Sequence, residues 1–247
     1  MQDGGGLMLL QSNLLAVLLV AGVACGWMLN RVAVAAPRAL AHAWQIPVEL
    51  IFCSSGPQSA VRQRIRALAV QLVAGVLAVM IAWRVGLSVR ALSVAMFCGW
   101  ITLLALIDLD TQLLPDLLTL PFMGCGFACA IAGVFVPVSA ALVGAVTGWA
   151  ILMAAHWAAR LRGRSQDAIG QGDAKLLAAV GAWLGWNAVV DTLLVACLTC
   201  LLVVPVARWM KVMKAGSVFS FGPYLAVGGI VSILAWPYGV VDFGFRP

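Results

Sequence analysis

Two short polar stretches interrupt an otherwise apolar chain, and both carry carboxylates. The first runs Ile107-Asp108-Leu109-Asp110-Thr111-Gln112-Leu113-Leu114-Pro115-Asp116, and the second Gly170-Gln171-Gly172-Asp173-Ala174-Lys175-Leu176. Between them they hold four of the nine acidic residues. A carboxylate beside a membrane-like run is costly to desolvate and marks a functional site by default. Asp108 follows directly on Leu104-Ala105-Leu106-Ile107 and is the acid hardest to explain structurally. Asp110 reads as a solvated loop residue. Pro115 suits the start of the next helix, with Asp116 as its cap. In the second stretch Gly170 and Gly172 allow close approach of an extended peptide. Asp173 then has two readings, a helix cap or dipole partner and a reactive group. Lys175 reads as a cytoplasmic-side positive charge or a headgroup partner.

Two carboxyl groups from separate helices, brought together at a membrane face, can divide the labour of hydrolysis. One stays ionised and draws a proton from water, while the other stays protonated and donates to the scissile carbonyl. Like charges at short range cannot both form freely, so such a pair titrates as a unit. No other constellation competes. The serines lack a histidine and acid in a recognisable setting, and there is no HExxH or phosphate-binding loop. A divalent-cation site at the first stretch would need carboxylates that the neighbouring sequence does not supply.

The elements that must position these groups are membrane helices. The 247 residues are 64% hydrophobic and 10% charged, with mean hydropathy +1.05, which excludes an ordinary soluble domain. Apolar runs of about 20 residues span a bilayer. Eight apolar segments are legible: 7–29, 67–83, 87–107, 117–136, 138–159, 176–186, 188–207 and 221–241. The sixth is short for a full crossing. The expectation is an all-α polytopic bundle of about eight transmembrane helices. Twelve of the fifteen basic residues lie in the loops after segments one, five and seven. That bias puts those loops in the cytoplasm and both termini in the periplasm. Asp108 and Asp173 then meet the same cytoplasmic surface, joined by a hairpin of segments four and five that turns at Val136-Pro137-Val138.

The net charge of +6 is accounted for by these loops and by anionic lipid, so no nucleic-acid partner is expected. Met1–Gly6 has no basic residue, which argues for a retained first span rather than a cleaved signal peptide. The residues from Asn30 to Arg66 read as the longest polar loop, broken by Pro37, Pro47 and Pro57. Six of the seven cysteines lie in apolar runs, where Cys acts as a small hydrophobe. Cys197-Leu198-Thr199-Cys200 has no second pair, and His42 and His156 complete no zinc-ligand set.

Taken together these residues resemble a known family. Ile107-Asp108 through Leu114-Pro115-Asp116, followed by Leu118-Thr119-Leu120-Pro121, is similar to the first signature of type IV prepilin leader peptidases. Gly170-Gln171-Gly172-Asp173-Ala174-Lys175-Leu176-Leu177, with Gly181-Ala182-Trp183-Leu184-Gly185-Trp186 behind it, resembles the second, the GxGD stretch. Phe221-Gly222-Pro223-Tyr224-Leu225-Ala226 is a third match. The resemblance implies an aspartic peptidase in the bacterial inner membrane with Asp108 and Asp173 as its catalytic pair. The reaction would remove the basic leader of prepilins or pseudopilins at the cytoplasmic face, with pilus or secretion assembly proteins as further contacts. Gly170, Gly172, Lys175, Pro115, Asp110 and Asp116 would shape the site, the last two acids near the mouth that receives the leader.

The N-terminal part departs from the family pattern. Many members also methylate the new N-terminus with S-adenosylmethionine, through a cytoplasmic loop that often has two CxxC pairs thought to bind zinc. Here that loop is short, and Cys53-Ser54-Ser55-Gly56 keeps one cysteine where a pair would stand. Gln71, in Arg66-Ala67-Leu68-Ala69-Val70-Gln71-Leu72, replaces the family's glutamate. Only Leu29-Asn30-Arg31 is similar to the family's opening. Zinc is therefore not expected, the peptidase needs no cofactor, and S-adenosylmethionine enters only if methyl transfer survives. The expected division is a degenerate region, 1–86, and a peptidase core, 87–247. Three other readings stay open: an idle scaffold of pilus or type II secretion assembly, a proton-coupled transporter, and a GxGD protease with a different substrate.

Overall fold

The computed structural model describes residues 4–43, 60–162, 170–210 and 220–235. All regular structure among these is helical: α1 (Gly4–Ala43), α2 (Ala60–Val85), α3 (Val89–Thr111), α4 (Asp116–Ile131), α5 (Val138–Leu161), α6 (Gln171–Trp209) and α7 (Gly222–Ala235). Five are long and apolar enough to cross a membrane, while α4 and α7 are shorter apolar helices. Helices satisfy their own backbone in lipid, which is why an apolar chain of this kind takes no other form. The protein is a multi-pass membrane protein. It forms two compact units, Met1–Gly99 and Trp100–Pro247.

In the first unit α1 packs against α2. The contact rests on Gly22 and Gly26, one turn apart. A Cβ on Gly22 would lie 2.7 Å from the Ala74 carbonyl oxygen, and one on Gly26 2.8 Å from Gln71 Cα. Small residues at this spacing let two backbones touch where lipid offers no hydrophobic drive for association. Helix reaches from both ends into the stretch Asn30 to Arg66 that the sequence read as a polar loop. Helix α1 continues to Ala43 and α2 already begins at Ala60. An apolar run ends where polarity begins, but a helix ends only where its backbone bonds fail, and the alanine-rich stretch after Arg31 sustains them. Arg66 Nε donates to Asn30 Oδ1 at 3.2 Å, tying the two helices beyond their apolar parts. Cys53, Pro47, Pro57 and His42 fall outside the residues described with their side chains.

In the second unit α6 is the element against which α4, α5 and α7 pack. Its Gly181 lies backbone to backbone on Gly144 of α5, while a Cβ on Gly148 would lie 2.7 Å from the Leu177 carbonyl oxygen. Trp183 of α6 is fully buried. Its indole Nε1 donates to the Phe122 carbonyl of α4 at 2.8 Å, and its ring lies 5.6 Å from that of Phe122. Trp100 in turn donates to the Leu118 carbonyl at 3.1 Å. Pro121 lies inside α4 and has no N–H to give to the helix ladder. The sequence separates two apolar segments at Asn187, and the structure runs them together as α6, broken at Gly185 with φ 81°. Only glycine takes that angle at no steric cost. A straight helix of 39 residues would be about 58 Å long, far more than a bilayer core.

Candidate functional site

Asp108 lies in the last turn of α3, and Asp173 in the first turn of α6. The two side chains are 5% and 7% exposed. The two carboxyls lie near enough for a charge on Asp108 to be felt at Asp173. The structure therefore brings together the two acids that the sequence singled out, from helices 60 residues apart in the chain. Both carboxyls are desolvated in a setting where one cannot ignore the ionisation of the other.

Each acid is held by a helix start. Asp173 is the third residue of α6, whose N-cap is Gly170. Its N–H donates to the Gly170 carbonyl at 3.2 Å, and a Cβ on Gly170 would lie 3.3 Å from its Oδ2. A Cβ on Gly172 would lie 2.8 Å from Leu114 Cβ. Bare backbone at that position lets the first turn of α6 lie against the segment that follows α3. Asp173 stands in the first turn of α6 without capping it: the N-cap is Gly170, and no side-chain cap bond is made there.

Asp108 is held from α7. Its Oδ2 accepts the N–H of Gly222 at 3.1 Å and the hydroxyl hydrogen of Ser220. A Cβ on Gly222 would overlap the Asp108 carboxylate. Phe221-Gly222-Pro223 was legible as a sequence match without a stated role, and Ser220 was passed over. The only signal for it was a hydroxyl next to that match. The end of α3 is closed by Gln112, whose φ of 56° is left-handed and whose N–H returns to the Asp108 carbonyl at 2.8 Å. This reverses the chain toward Pro115 within one short turn.

The remaining acids differ from expectation. Asp110 is 6% exposed and lies within α3, because the helix extends past Asp108 and carries it inward rather than into a solvated loop. Asp116 does not cap α4. The N-cap there is Pro115, with no side-chain bond, and both Asp116 oxygens take Lys175 Nζ, at 2.6 and 2.8 Å. That ion pair joins the first turns of α4 and α6, one residue from each aspartate stretch. Pro115 is buried. Asp191, 2% exposed, is a buried acid that the hydropathy reading overlooked. It lies 18 residues beyond Asp173 in the chain, on the far side of the Gly185 break. Among the described residues no three His, Cys, Asp or Glu side chains come together as a metal site.

The site is thus a pair of buried carboxyls at the ends of helices apolar enough to cross a membrane. Residues 95–205 match the type IV leader peptidase family. A prepilin leader peptidase/N-methyltransferase of Pseudomonas putida is 37% identical over 196 residues, covering 78% of this chain and 68% of the relative. Proteins of the same description from Dickeya chrysanthemi and Klebsiella pneumoniae are each 42% identical. They cover 62% and 51% of this chain, and 53% and 55% of the relatives. No solved structure matches. The chain belongs to the type IV leader peptidase family, and its matches span between about half and two thirds of those relatives' lengths.

Proposed function

We propose that this protein is an aspartic endopeptidase of the bacterial inner membrane that removes the basic leader from type IV prepilins or pseudopilins. The observation that carries the reading is the buried, neighbouring pair Asp108 and Asp173 in a chain of the leader peptidase family. One carboxylate takes a proton from water as the water oxygen bonds to the scissile carbonyl carbon. The other carboxyl gives its proton to the carbonyl oxygen. Collapse of the tetrahedral intermediate breaks the C–N bond: the proton held by the first carboxyl passes to the leaving amine, and a hydroxyl of the intermediate returns its proton to the second carboxylate as the new carbonyl forms. The pair ends each cycle sharing one proton, as it began.

The cytoplasmic placement rests on the distribution of basic residues, twelve of fifteen on one side. The break in α6 at Gly185 is compatible with reading that helix as two of the eight apolar segments. The substrate's basic leader stays in the cytoplasm and its apolar helix lies in the bilayer, so a pair at the boundary serves both parts. We read the protein as a peptidase without methyl transfer, because the loop after α1 has Cys53 alone and Gln71 stands where the family has glutamate. Neither zinc nor S-adenosylmethionine is needed for the peptidase step.

The test uses purified protein in liposomes with a leader-bearing prepilin and S-adenosylmethionine, following the mass of the substrate. Wild type removes the leader mass and adds no methyl, while Asp108→Ala and Asp173→Ala leave the substrate intact. Added methyl mass would restore the bifunctional reading. Failure of wild type on several prepilins would favour the scaffold, and cleavage surviving either substitution would remove that aspartate from the pair.

A further inference from the structure

The strongest unassigned feature is the way α7 grips one oxygen of Asp108. We propose that Ser220 is a positioning residue that holds Asp108 as the water-activating carboxylate, with the Gly222 N–H as its second donor; the proposal rests on the peptidase reading above. Ser220 and Gly222 both donate to Oδ2. With that oxygen engaged twice, the carboxylate cannot rotate, and Oδ1 is the oxygen left to take a proton from water. Both donors are matched by acceptor lone pairs of a carboxylate oxygen. The start of α7 adds the partial positive charge of its free N–H groups. Asp173 is held differently, by hydrogen bonding to the Gly170 backbone without a hydroxyl donor among its described contacts. The unequal support assigns the base to Asp108 and leaves the shared proton on Asp173, aimed at the carbonyl oxygen.

A purely structural role for Ser220 fits less well. Helix α7 begins at Gly222, and the first backbone bonds, from Tyr224 and Leu225, return to the Phe221 carbonyl. Ser220 therefore precedes the N-cap position, where a hydroxyl would serve the helix itself. It is half-buried rather than part of the packed core. Its hydroxyl serves Asp108, not the helix.

The experiment measures kcat and KM for prepilin cleavage in liposomes by wild type, Ser220→Ala and Ser220→Thr, with Asp108→Ala as reference. Loss of one hydrogen bond to a charged group lowers kcat about 10- to 100-fold in Ser220→Ala. KM stays within about twofold, because the bond is felt in the chemical step and not in substrate binding. Ser220→Thr keeps the hydroxyl and restores kcat to within about threefold of wild type. An unchanged kcat in Ser220→Ala, a change confined to KM, or a Ser220→Thr as slow as Ser220→Ala would each overturn the proposal. If wild type cleaves and Asp108→Ala does not, any of these results removes the role of Ser220 alone. If wild type itself cleaves nothing, the peptidase reading fails and this assignment falls with it.

Discussion

Gly222 is the residue with the least freedom to change. Its N–H donates to Asp108 Oδ2 at 3.1 Å, and the space a Cβ would need is taken by that carboxylate. Gly222→Ala is expected to push Asp108 off its donors and lower kcat about 100-fold or more. Circular dichroism checks that helix content is kept. The pair itself predicts the shape of the rate profile. At low pH both carboxyls are protonated and no base remains; at high pH both are ionised and no acid remains. Cleavage by wild type should therefore fall on both sides of an optimum, with two apparent constants that belong to the pair. Steady-state rates across pH test this, and a profile flat on the acidic side would exclude a carboxylate base.

At the scale of elements, the first turns of α4 and α6 are joined by Asp116 and Lys175. The side chains are 54% and 37% exposed, so the pair is screened and its coupling should be about 0–1 kcal/mol. Asp116→Ala and Lys175→Ala should each slow cleavage less than about tenfold. In a double-mutant cycle the coupling appears once, and it fades as salt is raised. A larger, salt-insensitive loss for Asp116→Ala alone would return that acid to the leader-binding role its sequence position invited. Gly185 works at the same scale. Its φ of 81° with ψ of −179° is backbone that essentially only glycine adopts, so Gly185→Ala should cost roughly 1–3 kcal/mol, read as a lower midpoint in denaturant titration.

For the whole molecule the prediction concerns sidedness. With the native cysteines replaced, Ala132→Cys, between α4 and α5, should react with an impermeant thiol reagent added to intact cells. Leu113→Cys, between α3 and α4, should react only after the cells are opened. Both residues are exposed, so burial does not confuse the result. The reverse pattern would place the carboxylate pair on the outer face and sever it from a cytoplasmic leader.

The sequence alone determined the class of the molecule and the pair worth watching. Hydropathy is a sum over neighbours, and a lipid-embedded backbone has one economical way to satisfy itself, so apolar runs translate directly into helices. Asp108 and Asp173 stood out because an acid beside such a run has a cost that must be met. The same local signals failed wherever a partner lay far along the chain. Helix α1 ran on past Asn30 because backbone bonding is indifferent to polarity. Asp110 went inward because the helix, not its charge, chose its direction. Asp116 and Lys175 found each other, and Ser220 found Asp108, across separations at which no periodicity or spacing carries information. Which acids pair, and which groups hold them, is decided by how α3, α4, α6 and α7 come together. That depends on glycines thin enough to let the backbones touch.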